Sequence, residues 1–421
     1  MWFFNLYYKV NLFDFFKKFA IKKDNIFTHN MENTKTKPVV LVEGFKGDCC
    51  GQGPGSYIGT AYNYVLTRMA LAGKIDLICT DLGEPKNIRG LPPLKQTLAW
   101  IRDGKIRYFD KNNLDDYKRY ENLKDIDFAF IVTWNRTHSE IAKGLLGKAK
   151  KIFVEKPLDV SLRSGYSLGE KQRDYPENMV FGFDHYLAKV YPLLLEIKKS
   201  PELIGEVREV TFHVLEPIGI PTHRIEALNE GMVYDILCHG IALAGGVLSA
   251  NTSPNLKLLK DFKLNKAVGA KFADSPIRGD TFSEAEFEVS KSGKSIRVNT
   301  CGGKLVGWSI DWSLEVEGSK GRIFGEIDRS KYRVFDLNGK LVKEGRLLEN
   351  CYQDFLESII TEGNNPLTAP GVFPFEVAQE ILSIVDEVEL NLKPTGDLPI
   401  YRPSSTLEEI REIIRKKLEA C

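Results

Sequence analysis

The stretch from Phe128 to Pro157, FAFIVTWNRTHSEIAKGLLGKAKKIFVEKP, constrains this chain most. An apolar run, Phe128 to Val132, has strand character. A polar turn follows, Thr133-Trp134-Asn135-Arg136-Thr137-His138. A helix-compatible segment runs from Ser139 to about Lys150, and a second apolar strand, Ile152 to Val154, stops at Glu155-Lys156-Pro157. Strand, helix and strand at this spacing make a parallel βαβ unit. Such sheets bind ligands beyond the carboxyl ends of their strands. Thr133, Asn135 and His138 leave one such end, and Glu155 and Lys156 leave the next. Pro157 stiffens the backbone beside Lys156, so this lysine is placed to meet a ligand.

The rest of the chain supplies the partners such a unit needs. Val39 to Glu43 reads as a first strand, Thr60 to Ala72 as a helix, and Ile75 to Thr80 as a second strand ending at Asp81. Thr97 to Asp103, Leu114 to Tyr120 and Ser161 to Arg173 are helical candidates, and Met179 to Phe183 is a strand leading into Asp184-His185-Tyr186. The period then changes. Val207 to Val214, Ala285 to Val289, Ile296 to Thr300, Ser313 to Glu317, Arg322 to Glu326 and Tyr332 to Asp336 alternate apolar and polar as strands do. Turn pairs such as Gly302-Gly303 and Asn338-Gly339 separate them, which implies an antiparallel sheet with one solvated face. Cys351 to Glu362 and Glu376 to Leu390 are helical. Ser404 to Leu418, capped by Ser404 or Ser405, is a charged tail helix.

Composition limits the function classes. The 421 residues suffice for two domains, and a net charge of +1 argues against binding driven by phosphate neutralisation of nucleic acid. The seven cysteines are scattered, with no C-x-x-C, which suits a reducing, cytoplasmic setting and neither a disulfide framework nor a zinc site. Cys49-Cys50 reads as a pair in a turn, with redox sensitivity the alternative. The aromatic opening, residues 1–30, is broken by Lys9, Asp14, Lys17 and Lys18, so it holds no run of ~20 apolar residues. A membrane-surface helix is one reading of it. The expectation is a poorly ordered extension over residues 1–36, with the functional chain beginning near Met31.

A strand, then T-x-N-x-x-H, then a helix, then a strand ending in EKP resembles the glucose–fructose oxidoreductase / inositol dehydrogenase (Gfo/Idh/MocA) family. Glu230-Gly231-Met232-Val233-Tyr234-Asp235-Ile236-Leu237-Cys238-His239 is similar to that family's Gly-x-x-x-Asp-x-x-x-His. The resemblance covers roughly Lys37 to Lys393. It implies an α/β chain. A Rossmann dinucleotide-binding domain (37–186) precedes an α+β domain with an open, mainly antiparallel sheet (187–395), and a tail helix (396–421) closes the chain. It implies an NAD(P)-dependent dehydrogenase acting on a sugar, sugar phosphate or cyclitol. A homo-oligomer, dimer or tetramer, would form through the antiparallel sheet, and no metal, nucleic acid or membrane is expected. Redox-cycling lyase or hydrolase chemistry and a non-catalytic sensor are the alternatives.

The cofactor set expected on this basis is Gly44, Gly47, Asp48, Asp81, Thr133, Asn135, His138, Glu155, Lys156 and Pro157. Glycines let backbone amides approach a pyrophosphate. No G-x-G-x-x-G follows the first strand; GFKGD, Gly44 to Asp48, is similar to the corresponding turn of glucose-6-phosphate dehydrogenase. The long loop through Gly59 reads either as a phosphate cradle or as a flexible cover. Asp81, unless merely a turn former, would hold ribose hydroxyls and favour NAD, with NADP possible because Lys86 and Arg89 are close in sequence.

Lys156, Asp235 and His239 form the expected reaction centre. An imidazole can accept the hydroxyl proton, since its ordinary pKa of ~6.5 lies near working pH. Asp235 stands four positions before His239, on one helix face, to orient the ring or to bind a neighbouring hydroxyl. Asp184-His185-Tyr186-Leu187-Ala188-Lys189 resembles the D-H-Y-L-G-K motif of glucose-6-phosphate dehydrogenase. On that resemblance His185, Tyr186 and Lys189 would hold a sugar phosphate; without it, they are a strand end and first helical turn. His223 and Arg224 either close over substrate or are solvated. Trp308 and Trp312 are expected to pack on the antiparallel sheet.

Overall fold

The structure is a computed structural model. It describes residues 37–44, 57–82, 99–216, 230–250, 262–272, 278–291, 294–304, 311–363 and 365–398, with a few positions of the tail helix between 409 and 416. Residues 1–36, Gly47, Asp48, Cys49, Cys50, Lys86, Arg89, His223, Arg224, Trp308, Ser404 and Ser405 lie outside the described residues.

Six apolar segments build the first sheet in parallel: β1 (Val39–Glu43), β2 (Asp76–Asp81), β3 (Arg107–Asp110), β4 (Ile126–Ile131), β5 (Ala149–Glu155) and β6 (Met179–Phe183). Their order, β3-β2-β1-β4-β5-β6, is that of a dinucleotide-binding doubly wound sheet. β1, β4, β5 and β6 carry apolar runs because helices cover both faces, whereas the edge strand β3 is half polar. Val40, Leu41 and Val42 of β1 are all fully buried. The strands are joined through helices including α1 (Tyr57–Leu71), α2 (Leu114–Glu121), α3 (His138–Leu145) and α4 (Leu162–Gln172). Asn113 caps α2 by accepting from the backbone N–H groups of Asp115 and Asp116, and Ser161 caps α4 through Ser164.

Two expectations change here. The helix expected to reach Lys150 ends at Leu145, and β5 begins at Ala149. Gly147 turns the chain between them with φ +79°. Lys150 then alternates outward and binds Asp127 at 2.7 Å, so the Lys-rich segment is strand rather than helix.

The chain continues through α5 (His185–Lys189) and α6 (Tyr191–Lys199) into β7 (Val207–Glu216). A π-helical turn, Val233–Leu237, runs directly into α7 (Cys238–Ala250). Then come β8 (Phe262–Phe272), β9 (Phe282–Lys291), β10 (Lys294–Lys304), β11 (Asp311–Gly318), β12 (Gly321–Glu326), β13 (Lys331–Asp336) and β14 (Leu341–Arg346). After them stand α8 (Cys351–Leu356), the short β15 (Val372–Pro374), α9 (Phe375–Leu390) and β16 (Lys393–Leu398). The second sheet has nine strands in the order β14-β13-β12-β11-β7-β10-β9-β8-β16. Its expected hairpins are antiparallel, but β7 pairs β10 in parallel, and β16 pairs β8 in parallel. The β7 to β10 route passes through α7 and two further strands, so β10 is free to return in the same direction as β7.

Alternation along these strands sorts the two faces. Val210, Phe212, Leu314, Val316, Ile323 and Val334 are buried. Charged residues on the opposite positions pair across strands, as Arg322 does with Glu315 at 3.2 Å and Arg297 with Glu209 at 3.5 Å. Such exposed pairs contribute little stability each.

After the second sheet the chain returns to the first. β15 joins β6 as an antiparallel edge strand. The Phe355 ring of α8 is fully buried against Phe183 at 4.0 Å, Phe153 at 5.6 Å and Phe130 at 5.9 Å between centroids. Aromatic pairs at these distances add to simple area burial. Phe355→Ala should therefore destabilise the fold by about 3–5 kcal/mol, measured by urea denaturation. A loss under about 1 kcal/mol would show that α8 docks weakly.

Candidate active site

The register of the first sheet decides what meets at its edge. Glu43 pairs Ile131, Ile131 pairs Val154, and Glu155 pairs Phe183. Gly44, Thr133, Lys156 and Asp184 therefore leave the same carboxyl edge. The point where the strand order reverses lies between β1 and β4, where doubly wound sheets take ligands. Gly44 has φ +88°, and a side chain there would collide with the Val132 carbonyl and the Thr133 methyl. Glycine is therefore needed where the β1 and β4 turns pack, and the bare Gly44 backbone at the switch point fits the pyrophosphate of a dinucleotide. Asp81 ends β2 and accepts from the Leu82 N–H at 2.7 Å.

The T-x-N-x-x-H segment folds as a turn braced on itself. Thr133 Oγ1 bonds Thr137 Oγ1 at 2.8 Å, and Asn135 opens a single 3₁₀ turn, Asn135–Thr137. His138, expected at the cofactor, is buried with Nδ1 2.8 Å from the Pro157 carbonyl and Nε2 3.2 Å from the Thr133 carbonyl. Burial lowers its pKa, so the ring is neutral and donates to one carbonyl, the nearer Pro157. The structure thus places His138 as a tie between the β4 turn and Lys156-Pro157.

Lys156, Asp235 and His239 are brought together, but not with the pairing expected from spacing. His239 Nδ1 lies 2.6 Å from Asp184 Oδ2, both groups buried. Asp235 is held instead by two lysines. Lys156 Nζ donates to the Asp235 carbonyl at 2.6 Å and reaches its Oδ1 at 3.4 Å, and Lys304 Nζ stands 3.1 Å from Oδ2. The reason is local: Asp235 sits in the π-helical turn, whose wider winding breaks the one-face rule of an α-helix. In sequence Asp184 stands out only as part of a motif, although an Asp before a helix is a capping signal. It does cap α5, accepting from the Tyr186 N–H at 2.8 Å and the Leu187 N–H at 3.0 Å.

The charges follow from burial and neighbours. Burial lowers the His239 pKa against the pull of Asp184, so the ring is neutral, donates Nδ1–H to Asp184 and keeps Nε2 as an acceptor. Burial opposes the Asp184 charge, but the bond from His239 and the Leu187 amide hold its pKa below the ordinary value. Burial also opposes the Lys156 charge, and Asp235 outweighs it and holds the ammonium. Glu155 is pushed up to about 8 by burial, against the pull of Lys156.

His185 stands edge-on to His239 at 4.9 Å between ring centroids, and its Nδ1 has no hydrogen-bond partner among the described residues. Burial drives its pKa well down. Tyr186 packs on His239 at 4.5 Å, with Trp312 of the second sheet 6.1 Å from Tyr186. Lys189 ends α5, half-buried, with its pKa lowered by burial. Asp184, His185 and His239 can each offer a ligand atom, all within 4.8 Å of one another. The direct Asp184–His239 bond engages Nδ1 of the ring and one carboxylate oxygen, and Lys156 adds positive charge nearby. That arrangement favours a hydrogen-bonded pair over a bound cation.

This fold, with its doubly wound parallel sheet and a polar cluster at the sheet's carboxyl edge, is that of a dinucleotide-binding Rossmann protein. Residues 102–177 match the Gfo/Idh/MocA family model, described as an oxidoreductase family with an NAD-binding Rossmann fold. The chain is 25% identical over 211 residues to inositol 2-dehydrogenase of Rhizobium meliloti, half of this chain and 60% of that protein. It is 27% identical over 129 residues to inositol 2-dehydrogenase of Salmonella typhimurium, 30% of this chain and 38% of that protein. A 3-ketoreductase from Actinomadura kijaniata, solved with NADP and TDP-benzene, superimposes with a TM-score of 0.60 at 15% identity, covering 86% of this chain and all of the other. A myo-inositol dehydrogenase from Corynebacterium glutamicum gives 0.57 at 15% identity, covering 85% and 97%. Over residues 102–177 the chain resembles the Gfo/Idh/MocA oxidoreductase family, and it spans 60% or less of the length of these curated relatives. Among the described residues no helix is long and apolar enough to cross a membrane.

Glu155 gives a test of the site's electrostatics. The folded protein binds its proton up to about pH 8, whereas an unfolded glutamate releases it near ~4.3. Between those values the native state carries the extra proton, so this group's contribution to stability falls as pH rises. Glu155→Gln should match wild type at pH 5 and exceed it by at least about 1 kcal/mol at pH 9 in urea denaturation. Equal stability at both pH values would contradict the assignment.

Proposed function

We propose that this chain is an NAD(P)-dependent dehydrogenase that moves hydride between nicotinamide and a hydroxyl-bearing carbon of a sugar, sugar phosphate or cyclitol. The observation that carries the reading is a neutral, buried His239 whose Nδ1 is fixed by Asp184, beside Lys156 at the cofactor edge of a Rossmann sheet. A bound nicotinamide dinucleotide would supply the hydride acceptor or donor. Gly44 and the expected Gly47 and Asp48 would admit its pyrophosphate, and Asp81 would hold its ribose and favour NAD over NADP.

His239 Nε2 takes the hydroxyl proton, and Asp184 keeps the ring in the accepting tautomer. Lys156 donates a hydrogen bond to the reacting oxygen and opposes charge developing on it. Asp235, anchored by its two lysines, is placed for a neighbouring hydroxyl rather than for the imidazole. The relatives named as inositol 2-dehydrogenases support a cyclitol. His185, Tyr186 and Lys189 support a phosphorylated substrate, since histidine, tyrosine and lysine are donors suited to phosphate. The polar outer face of the second sheet is the proposed oligomer interface.

The test is kinetic. His239→Ala should lower kcat about 100-fold or more, with dinucleotide Kd from titration calorimetry changed less than about threefold. Lys156→Ala should lower kcat and weaken cofactor binding together. Gly44→Val should abolish dinucleotide binding through the collision at Val132. If Lys189 holds a phosphate, Lys189→Ala should raise KM for a sugar phosphate more than it lowers kcat. Near-native turnover in His239→Ala would refute the mechanism, and no saturable NAD or NADP binding by the wild type would refute the function.

A further inference from the structure

Lys304 was not visible as a functional residue in the sequence, where it merely ends a strand after Gly302-Gly303. The structure brings it to the site by a close approach of β10 to the π-helical turn and α7. A side chain on Gly240 would collide with Thr300, and one on Gly302 with Ile236. Strand and helix can touch there only because both positions are glycine. The Lys304 N–H donates to the Thr281 carbonyl at 2.8 Å, which fixes the strand end, and the residue is 6% exposed.

The consequence is a carboxylate shared by two ammonium groups. Lys304 Nζ stands 3.1 Å from Asp235 Oδ2, and Lys156 Nζ stands 3.4 Å from Oδ1 while bonding the Asp235 carbonyl at 2.6 Å. An ammonium has three N–H donors. Two of those on Lys156 point at Asp235 among the described residues, and the longer of the two contacts is the one to the carboxylate. We propose that Lys304 is a positioning residue: by holding Oδ2 of Asp235, it keeps Lys156 from closing into a full ion pair and leaves it able to donate to substrate. This rests on the dehydrogenase reading for its purpose, but not for its test.

The other groups around Lys156 are Asp184 from the end of β6, Cys238 and His239 from α7, His185 from α5 and Glu155 from its own strand. The histidines are neutral, and Cys238, pushed up to about 12 by burial, keeps its proton. Asp184, and Glu155 above about pH 8, carry their charge in every variant alike, so Asp235 and Lys304 are the opposed charges that substitution separates. Removing Lys304 takes one ammonium partner from Asp235 and so stabilises the Lys156 ammonium. Removing the Asp235 charge does the reverse.

The experiment is competitive acetylation of the whole protein with trace acetic anhydride at pH 9, read by mass spectrometry at Lys156 and normalised to exposed Lys118. Only the free amine reacts, so a pKa change of one unit changes labelling about tenfold. Lys304→Met should lower Lys156 labelling about tenfold, Asp235→Asn should raise it, and Lys304→Arg should leave it near wild type. Unchanged labelling in Lys304→Met with an unchanged melting temperature overturns the proposal. Should that variant not fold, Lys304→Gln and Asp235→Asn carry the same comparison, and unchanged labelling in Asp235→Asn overturns it equally. No substrate or cofactor enters the assay, so absence of dehydrogenase activity bears on the proposed function alone.

Discussion

The Asp184–His239 hydrogen bond is the contact on which the rest of the site depends. Asp184 stands where β6 ends, and one of its oxygens caps α5 while the other holds the imidazole. Its backbone N–H is taken by the Gly371 carbonyl at 3.0 Å, so the returning chain around β15 fixes the residue as well. A buried carboxylate is costly unless hydrogen bonds satisfy it. Here helix capping and ring orientation satisfy it together, which ties the chemistry of α7 to the geometry of the first sheet.

Around that bond the site is assembled from distant parts of the chain. β5 delivers Lys156, α7 delivers His239, and β10 delivers Lys304. Glycines at 240 and 302 let the last two elements pack closely. His138, at the start of α3, donates to the Pro157 carbonyl and so ties the segment after β4 to Lys156-Pro157. The positions of the reacting groups thus follow from packing of strands and helices rather than from flexible loops, and buried, neutral imidazoles coexist with charged lysines because each charge has a named partner.

Much of this was legible in sequence. Long apolar runs gave β1, β4, β5 and β6, since a strand buried on both faces has no polar positions to blur it. Alternation gave β7 and β9 to β13, because one face of the second sheet carries charged pairs. The sequence also marked Lys156, Asp235 and His239. It did not reveal their partners. Spacing of four suggested that Asp235 serves His239, but a π-helical turn redirects it toward Lys156 and Lys304. Lys304 lies 69 positions after Asp235 in the numbering of the chain and carries no local signature. The parallel β7–β10 pairing was hidden for a related reason: hairpin turns report neighbours in sequence, and these two strands are not neighbours in sequence.

The central claim is that His239 is neutral, donates from Nδ1 to Asp184, and presents Nε2 as a proton acceptor. The chain has six histidines, so selective ¹⁵N-histidine labelling gives a tractable spectrum, with His239→Gln to assign the signal. At pH 7 the account predicts a neutral His239 ring protonated at Nδ1 and bare at Nε2. An imidazolium at that pH, or a neutral ring protonated at Nε2, would contradict it.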